Sequence, residues 1–268
     1  MKHGADQPAE ISEAPPTDEP PLRPPGEPPT RRNGRRAWLV PVGIGLGTSA
    51  VVTGLSYGMP DKYAATAVGL GFLAATYWVA LRRDHPLAPD HYGLALGGLL
   101  DPEPISPRRV AGDTARALAW AVGLALAIFP LFWFAYRWWW KPRHAFESGS
   151  LPSLGDDVLG QLLVIALPEE AFYRGYLQTA LDDALKPRIK ILGATVGWGL
   201  LISSVLFALG HFATEAHPNR LAVFFPALVF GWLRARTGGI GAGIVFHALC
   251  NLFAAYLARS YGLGRWAA

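Results

Sequence analysis

Seven stretches of largely apolar residues, each near the length that crosses a bilayer, constrain this chain more than any other feature. They cover residues 37–59, 63–81, 114–136, 157–181, 191–212, 221–237 and 239–258. A spanning helix needs roughly 20 such residues, because lipid offers backbone N–H and C=O groups no partners and only internally bonded segments persist there. The chain is therefore expected to be all-α, a polytopic membrane helical bundle of about seven transmembrane helices. The first run begins behind a long polar stretch and is long enough to span, so it reads as a span rather than a signal peptide. The fourth run is interrupted by Pro168, Glu169, Glu170 and Arg174, and the sixth is short.

The first 36 residues differ in kind. They hold nine of the chain's 23 prolines and no Phe, Trp or Tyr. Such a segment buries too little apolar surface to offset the entropy of ordering it. It is expected to be a disordered Pro-rich cytoplasmic tail, 1–36, ahead of one membrane-embedded domain, 37–268. Only 16% of the 268 residues are charged and the formal net charge is +4. The basic residues lie in the gaps between apolar runs, where orientation signals and contacts with anionic headgroups belong. The lipid bilayer is thus the expected partner, and nucleic acid is not.

With the N-terminus inside and seven spans, sixteen Lys and Arg fall on the inner side and seven on the outer, Arg174 being left within a span. That bias predicts a multi-pass protein of the cell (cytoplasmic or inner) membrane with a cytoplasmic N-terminus. Trp138, Trp139 and Trp140, followed by Lys141 and Arg143, read as an interfacial belt. Gly43, Gly45 and Gly47, and the pair Gly239 and Gly243, read as sites of close helix packing. Cys250 is the single cysteine, which rules out an intrachain disulfide and a cysteine zinc cluster.

Ionisable side chains inside a hydrocarbon layer are costly, so each one in a span is a functional hypothesis. Glu170 and Arg174 are four apart, on one helical face, and can pair. Glu169 is turned by about 100° from Glu170 and gains less from that partner. One carboxylate is thereby structural and the other available. Phe207 and His211 share a face near the end of the fifth run, and His247 and Asn251 share one in the seventh. Two carboxylates, one guanidinium, two imidazoles and one amide thus fall within three runs otherwise poor in polar groups.

No HExxH is present, and no Ser or Cys has a spacing that pairs it with a histidine. What remains is a carboxylate and an imidazole able to orient a water, with amide and imidazole donors for an oxyanion. A metal held by Glu169, His211 and His247 stays open as well, since carboxylate and histidine together bind zinc.

Glu169-Glu170-x-x-x-Arg174, Phe207-x-x-x-His211 and His247-x-x-x-Asn251 resemble, in order, the three signature motifs of the CPBP family. That family contains the type II CAAX prenyl endopeptidases and the Abi bacteriocin-immunity proteins. Gly238 to Gly243 resemble its glycine-rich approach to the third motif, and the likeness covers residues 157–258. It implies a glutamic-type intramembrane protease acting on a membrane-anchored protein or peptide. Glu169 and His211 would then activate the attacking water, and His247 with Asn251 would form the oxyanion hole. Glu170, Arg174 and Phe207 would support them. The resemblance implies no tightly bound cofactor, while leaving a divalent metal such as zinc open. CAAX processing is the founding activity of the family. The compact, Arg/Ala/Pro/Gly-rich chain looks bacterial, and the myxosortase-like members of the family process C-terminal sorting tails. Two other classes remain: a non-catalytic membrane scaffold or immunity protein, and a transporter, each using the same polar network.

Overall fold

The computed structural model describes residues 36–82, 88–100, 104–148 and 153–263. Apart from Arg36, the expected tail, 1–36, lies outside them. Helix α1 (Leu39–Gly58) is followed by α2 (Asp61–Thr76), which a π turn over Tyr77–Leu81 prolongs. A short helix, α3 (Ala88–His91), opens a strap of left-handed turns at Gly93, Leu96, Gly97 and Gly98. Gly93, with φ of 65°, has no room for a side chain: a Cβ there would lie 2.7 Å from the Arg234 guanidinium carbon. Helix α4 (Pro107–Trp140) has 34 residues, about 50 Å of helix against a hydrocarbon layer of about 30 Å. It starts at Ser106, whose Oγ accepts from the Arg109 N–H, with Pro107 where a missing N–H costs nothing. It stops at Lys141 in the left-handed conformation, and Trp138 and Trp139 at its end are exposed, as a belt requires.

The next segment, residues 154–185, is one continuous helix of alternating type, here termed the motif helix. Leu154–Ala166 is π-helical, α5 (Leu167–Glu170) is α-helical, Ala171–Gln178 is π-helical again and α6 (Thr179–Leu185) closes it. Ser153 and Asp157 cap its start reciprocally: Ser153 Oγ accepts from the Asp157 N–H, and Asp157 Oδ2 accepts from the Ser153 N–H. Pro168 has no N–H to offer the Val164 carbonyl four residues back. That carbonyl oxygen lies 2.5 Å from where a Cβ on Gly69 would sit, so only glycine lets α2 approach here.

Residues 189–196 depart from the expected fifth span. They form a hairpin of β1 (Ile189–Ile191) and β2 (Ala194–Val196), and helix α7 (Trp198–Thr214) begins only afterwards. Leu192 and Gly193 both have positive φ, the geometry that matches strand twist in a two-residue turn, and Ile189, Ile191, Thr195 and Val196 give the two strands β-branched side chains. A 3₁₀ turn, Pro218–Val223, leads into α8 (Phe224–Thr237). Gly238, with φ of 78°, ends α8, and α9 (Gly241–Ser260) follows.

Among the described residues, α1, α2 with its π turn, α4 and α9 are long and apolar enough to cross a membrane, and α7 is a shorter apolar helix. The chain is thus a multi-pass membrane bundle. The largest buried cluster surrounds the second half of the motif helix, with Phe72, Phe172, Tyr173, Leu177, Leu206 and Phe207. A second joins α4, α8 and α9 through Ala121, Phe230, Leu233 and Phe246. Of Gly43, Gly45 and Gly47, only Gly45 packs closely, against Leu177 and Leu206; the other two meet nothing within 4 Å.

Candidate active site between the motif helix, α7 and α9

The centre of the bundle is a layered polar network. In its deepest layer Glu170 Oε1 lies 3.2 Å from Arg174 Nη1, and both side chains are fully buried. The i, i+4 spacing that makes the pair follows from the helix itself. Arg174 Nη2 donates to the Ala227 carbonyl of α8 at 3.3 Å, and the guanidinium carbon sits 4.3 Å from the centre of the Phe207 ring. One turn on, Gln178 Nε2 donates to the Gly231 carbonyl at 2.9 Å. Glycine at Gly243, one turn before His247, admits the carboxylate: a Cβ there would lie 2.9 Å from Glu170 Oε2.

The next layer carries the histidines. His247 Nδ1 donates to Glu170 Oε1 at 3.1 Å, and its ring stacks on Phe230 with centroids 4.7 Å apart. His211 Nδ1 donates to the Phe207 carbonyl at 3.0 Å. Both rings thereby turn Nε2 toward one point. Glu169 Oε2 lies 3.8 Å from His211 Nε2 and 3.8 Å from His247 Nε2. Neither contact is a hydrogen bond, and the Glu169 oxygen has no hydrogen-bond partner among the described residues.

The structure thus brings Glu169, Glu170, Arg174, Phe207, His211 and His247 into one network. Asn251 lies one turn beyond His247 on α9, and its Nδ2 donates to Gln161 Oε1 at 2.9 Å. Among the described residues, no group of three His, Cys, Asp or Glu side chains is arranged to hold a metal ion. Cys250 lies among the apolar residues between α4, α8 and α9.

Residues 156–253, which contain every one of these groups, match the model of the family described as type II CAAX prenyl endopeptidase Rce1-like. This match places the motif-bearing core of the chain in the CAAX-protease (CPBP) family. No curated protein and no solved structure matches it. The match supports a membrane peptide hydrolase of the CAAX-protease type, with a membrane protein as the substrate class and the bilayer as its medium.

Three parts of the network were not legible as site residues. Gln178 continues the four-residue spacing from Glu170 through Arg174, and that polar stripe is the signal that could have exposed it. Gln161 is a lone amide in an apolar run, with nothing in the sequence tying it to Asn251, 90 positions away. Arg220 and Glu215 are ordinary loop charges by sequence. In the structure Arg220 Nε is 3.3 Å from Glu215 Oε2, in the segment that follows α7 and His211.

Proposed function

We propose that this CPBP protein is a glutamic-type intramembrane endopeptidase in which Glu169 and His211 activate the attacking water. The supporting observation is the convergence on Glu169 Oε2 of two imidazole nitrogens, each at 3.8 Å. His211 donates its Nδ1–H in a hydrogen bond to the Phe207 carbonyl, so the neutral ring presents a lone pair at Nε2. A water between this nitrogen and the Glu169 carboxylate meets two acceptors. Glu169 takes the proton as the water oxygen bonds to the substrate carbonyl carbon, and returns it to the amine as the C–N bond breaks. His247 and Asn251 stabilise the oxyanion. Because His247 Nδ1 is engaged by Glu170, Nε2 donates only when the ring carries both protons.

The substrate is a membrane-anchored protein cut near a C-terminal tail, in the manner of sorting-signal processing. The test is a comparison of membrane-protein C-termini between cells carrying the wild type and Glu169→Ala. The expected result is a set of proteins that keep their tails in the variant while the variant itself stays folded at normal levels. Identical C-termini in both cells would sink the proposal. The reaction is assigned without a resident metal, and activity that disappears on strong chelation and returns with zinc would overturn that part.

A further inference from the structure

The two ends of the bundle differ in charge and in what covers the site. At one end the strap 88–100, the β hairpin and the α8–α9 turn meet. Arg234 Nη2 donates to the His91 carbonyl at 3.0 Å, the Ile240 N–H donates to the Gly93 carbonyl at 3.0 Å, and Trp232 Nε1 donates to the Ile191 carbonyl at 2.9 Å. This end carries Arg108, Arg109, Lys186, Lys190, Arg234 and Arg236. It is also sealed beneath the site. Leu94 is buried, and a Cβ on Gly175 would lie 2.7 Å from Leu94 Cδ2 and 3.3 Å from the Tyr92 carbonyl oxygen. At the opposite end α1 and α7 finish together, with Tyr57 Oη donating to the Ala213 carbonyl at 3.1 Å.

Exposure across the network rises from Glu170 through Glu169 and His211 to the turn that follows α7. The side chains of Glu170 and Arg174 are 0% exposed and His247 3%. Glu169 is 11% exposed, His211 18%, and Arg220 and Glu215 are 30% and 33%. His211 is three residues from the end of α7, about 5 Å of helix, and the turn that holds Arg220 follows directly. An ion pair of this exposure belongs to water rather than to lipid.

We propose that the site opens through residues 214–224 onto the membrane face opposite the basic one. On the positive-inside rule that face is non-cytoplasmic. This rests on the protease reading and gives it a substrate class: a membrane-anchored protein whose scissile bond lies beside its span on the non-cytoplasmic side. Glu215 and Arg220 frame the entrance, and incoming peptide passes between them and His211. A prenylated tail presented from the cytoplasm meets the sealed end.

Thiol labelling tests this without requiring a substrate. In a Cys250→Ser background, Ala216→Cys reports the mouth, Leu192→Cys the hairpin end, and Glu169→Cys the site. A membrane-impermeant thiol reagent is applied to right-side-out and to inverted vesicles. Ala216→Cys and Glu169→Cys are expected to react only in right-side-out vesicles, and Leu192→Cys only in inverted ones. Reaction of Ala216→Cys in inverted vesicles, or of Glu169→Cys from the Leu192 side, overturns the proposal. A Glu169→Cys thiol that reacts from neither side places the opening in the lipid and overturns it equally. If that variant does not fold, His211→Cys takes its place. Failure of the protease reading shows separately, as unchanged C-termini in the Glu169→Ala cells despite labelling as expected.

Discussion

Glu169 and Glu170 are adjacent in the motif helix, and each carboxylate faces a histidine. Glu170 is fully buried, and its Oε1 lies 3.2 Å from Arg174 Nη1 and 3.1 Å from His247 Nδ1, while Oε2 has no hydrogen-bond partner among the described residues. Glu169 keeps 11% exposure and meets its two imidazoles only at 3.8 Å. A rotation of about 100° separates a carboxylate held against an arginine and a histidine from one that meets its histidines only at a distance. The difference comes from neighbours, since the two side chains are identical. A buried charge is tolerable when its partners are fixed, and a reactive group must keep part of its bonding capacity unfilled.

Four substitutions break or sharpen this contrast, from the largest expected effect to the smallest. Glu169→Gln keeps the shape and removes the proposed base, so turnover should fall by roughly 10²–10⁴ with an unchanged melting temperature in detergent. A variant of wild-type activity would erase the distinction. Glu170→Ala leaves Arg174 buried and unpaired, and the expected cost is about 3–5 kcal/mol of stability, read as low yield and early thermal unfolding. A stable Glu170→Ala protein that has merely lost activity would give Glu170 the chemical role instead. Gly243→Ala pushes a methyl group to 2.9 Å from Glu170 Oε2 and should destabilise by about 1–3 kcal/mol, shifting His247 with it. Equal stability would show that the Glu170 layer yields more easily than its packing implies.

The smallest effect lies at the sealed end, in Asp182 of α6. Burial, with Asp183 adding to it and Arg234 opposing, pushes this carboxyl up to about 6 from its ordinary value near 3.8. The folded protein therefore holds this proton more tightly than the unfolded chain. The contribution to stability is fully present below about pH 4 and is lost as pH rises through about 6. Asp182→Asn should flatten that decline, so the gap between variant and wild-type melting temperatures should widen from pH 5 to pH 7. A constant gap would mean that Asp182 ionises freely.

Much of the site could be read from spacing. The Glu170–Arg174 pair and the shared faces of Phe207 with His211 and of His247 with Asn251 all follow from four-residue intervals on helices. The hairpin at 189–196 was hidden because Ile189, Ile191 and Val196 are as apolar as a span. Only the left-handed geometry at Leu192 and Gly193 distinguishes it. Gln161 was hidden because its partner lies 90 residues away. Arg220 looked like any loop cation until the fold set it against Glu215 at the end of α7.

The sequence by itself determined that this chain enters a membrane, and which ionisable residues the membrane must accommodate. Those follow from local quantities: run length, apolar content and the cost of charge in hydrocarbon. Tertiary structure alone decided that His247 of α9 joins Arg174 on Glu170 and that two imidazoles from different helices converge on Glu169. It also decided which end of the site is closed. Both depend on contacts between segments far apart in the chain, such as Gly243 against Glu170 and Leu94 against Gly175, and such proximity has no local signature.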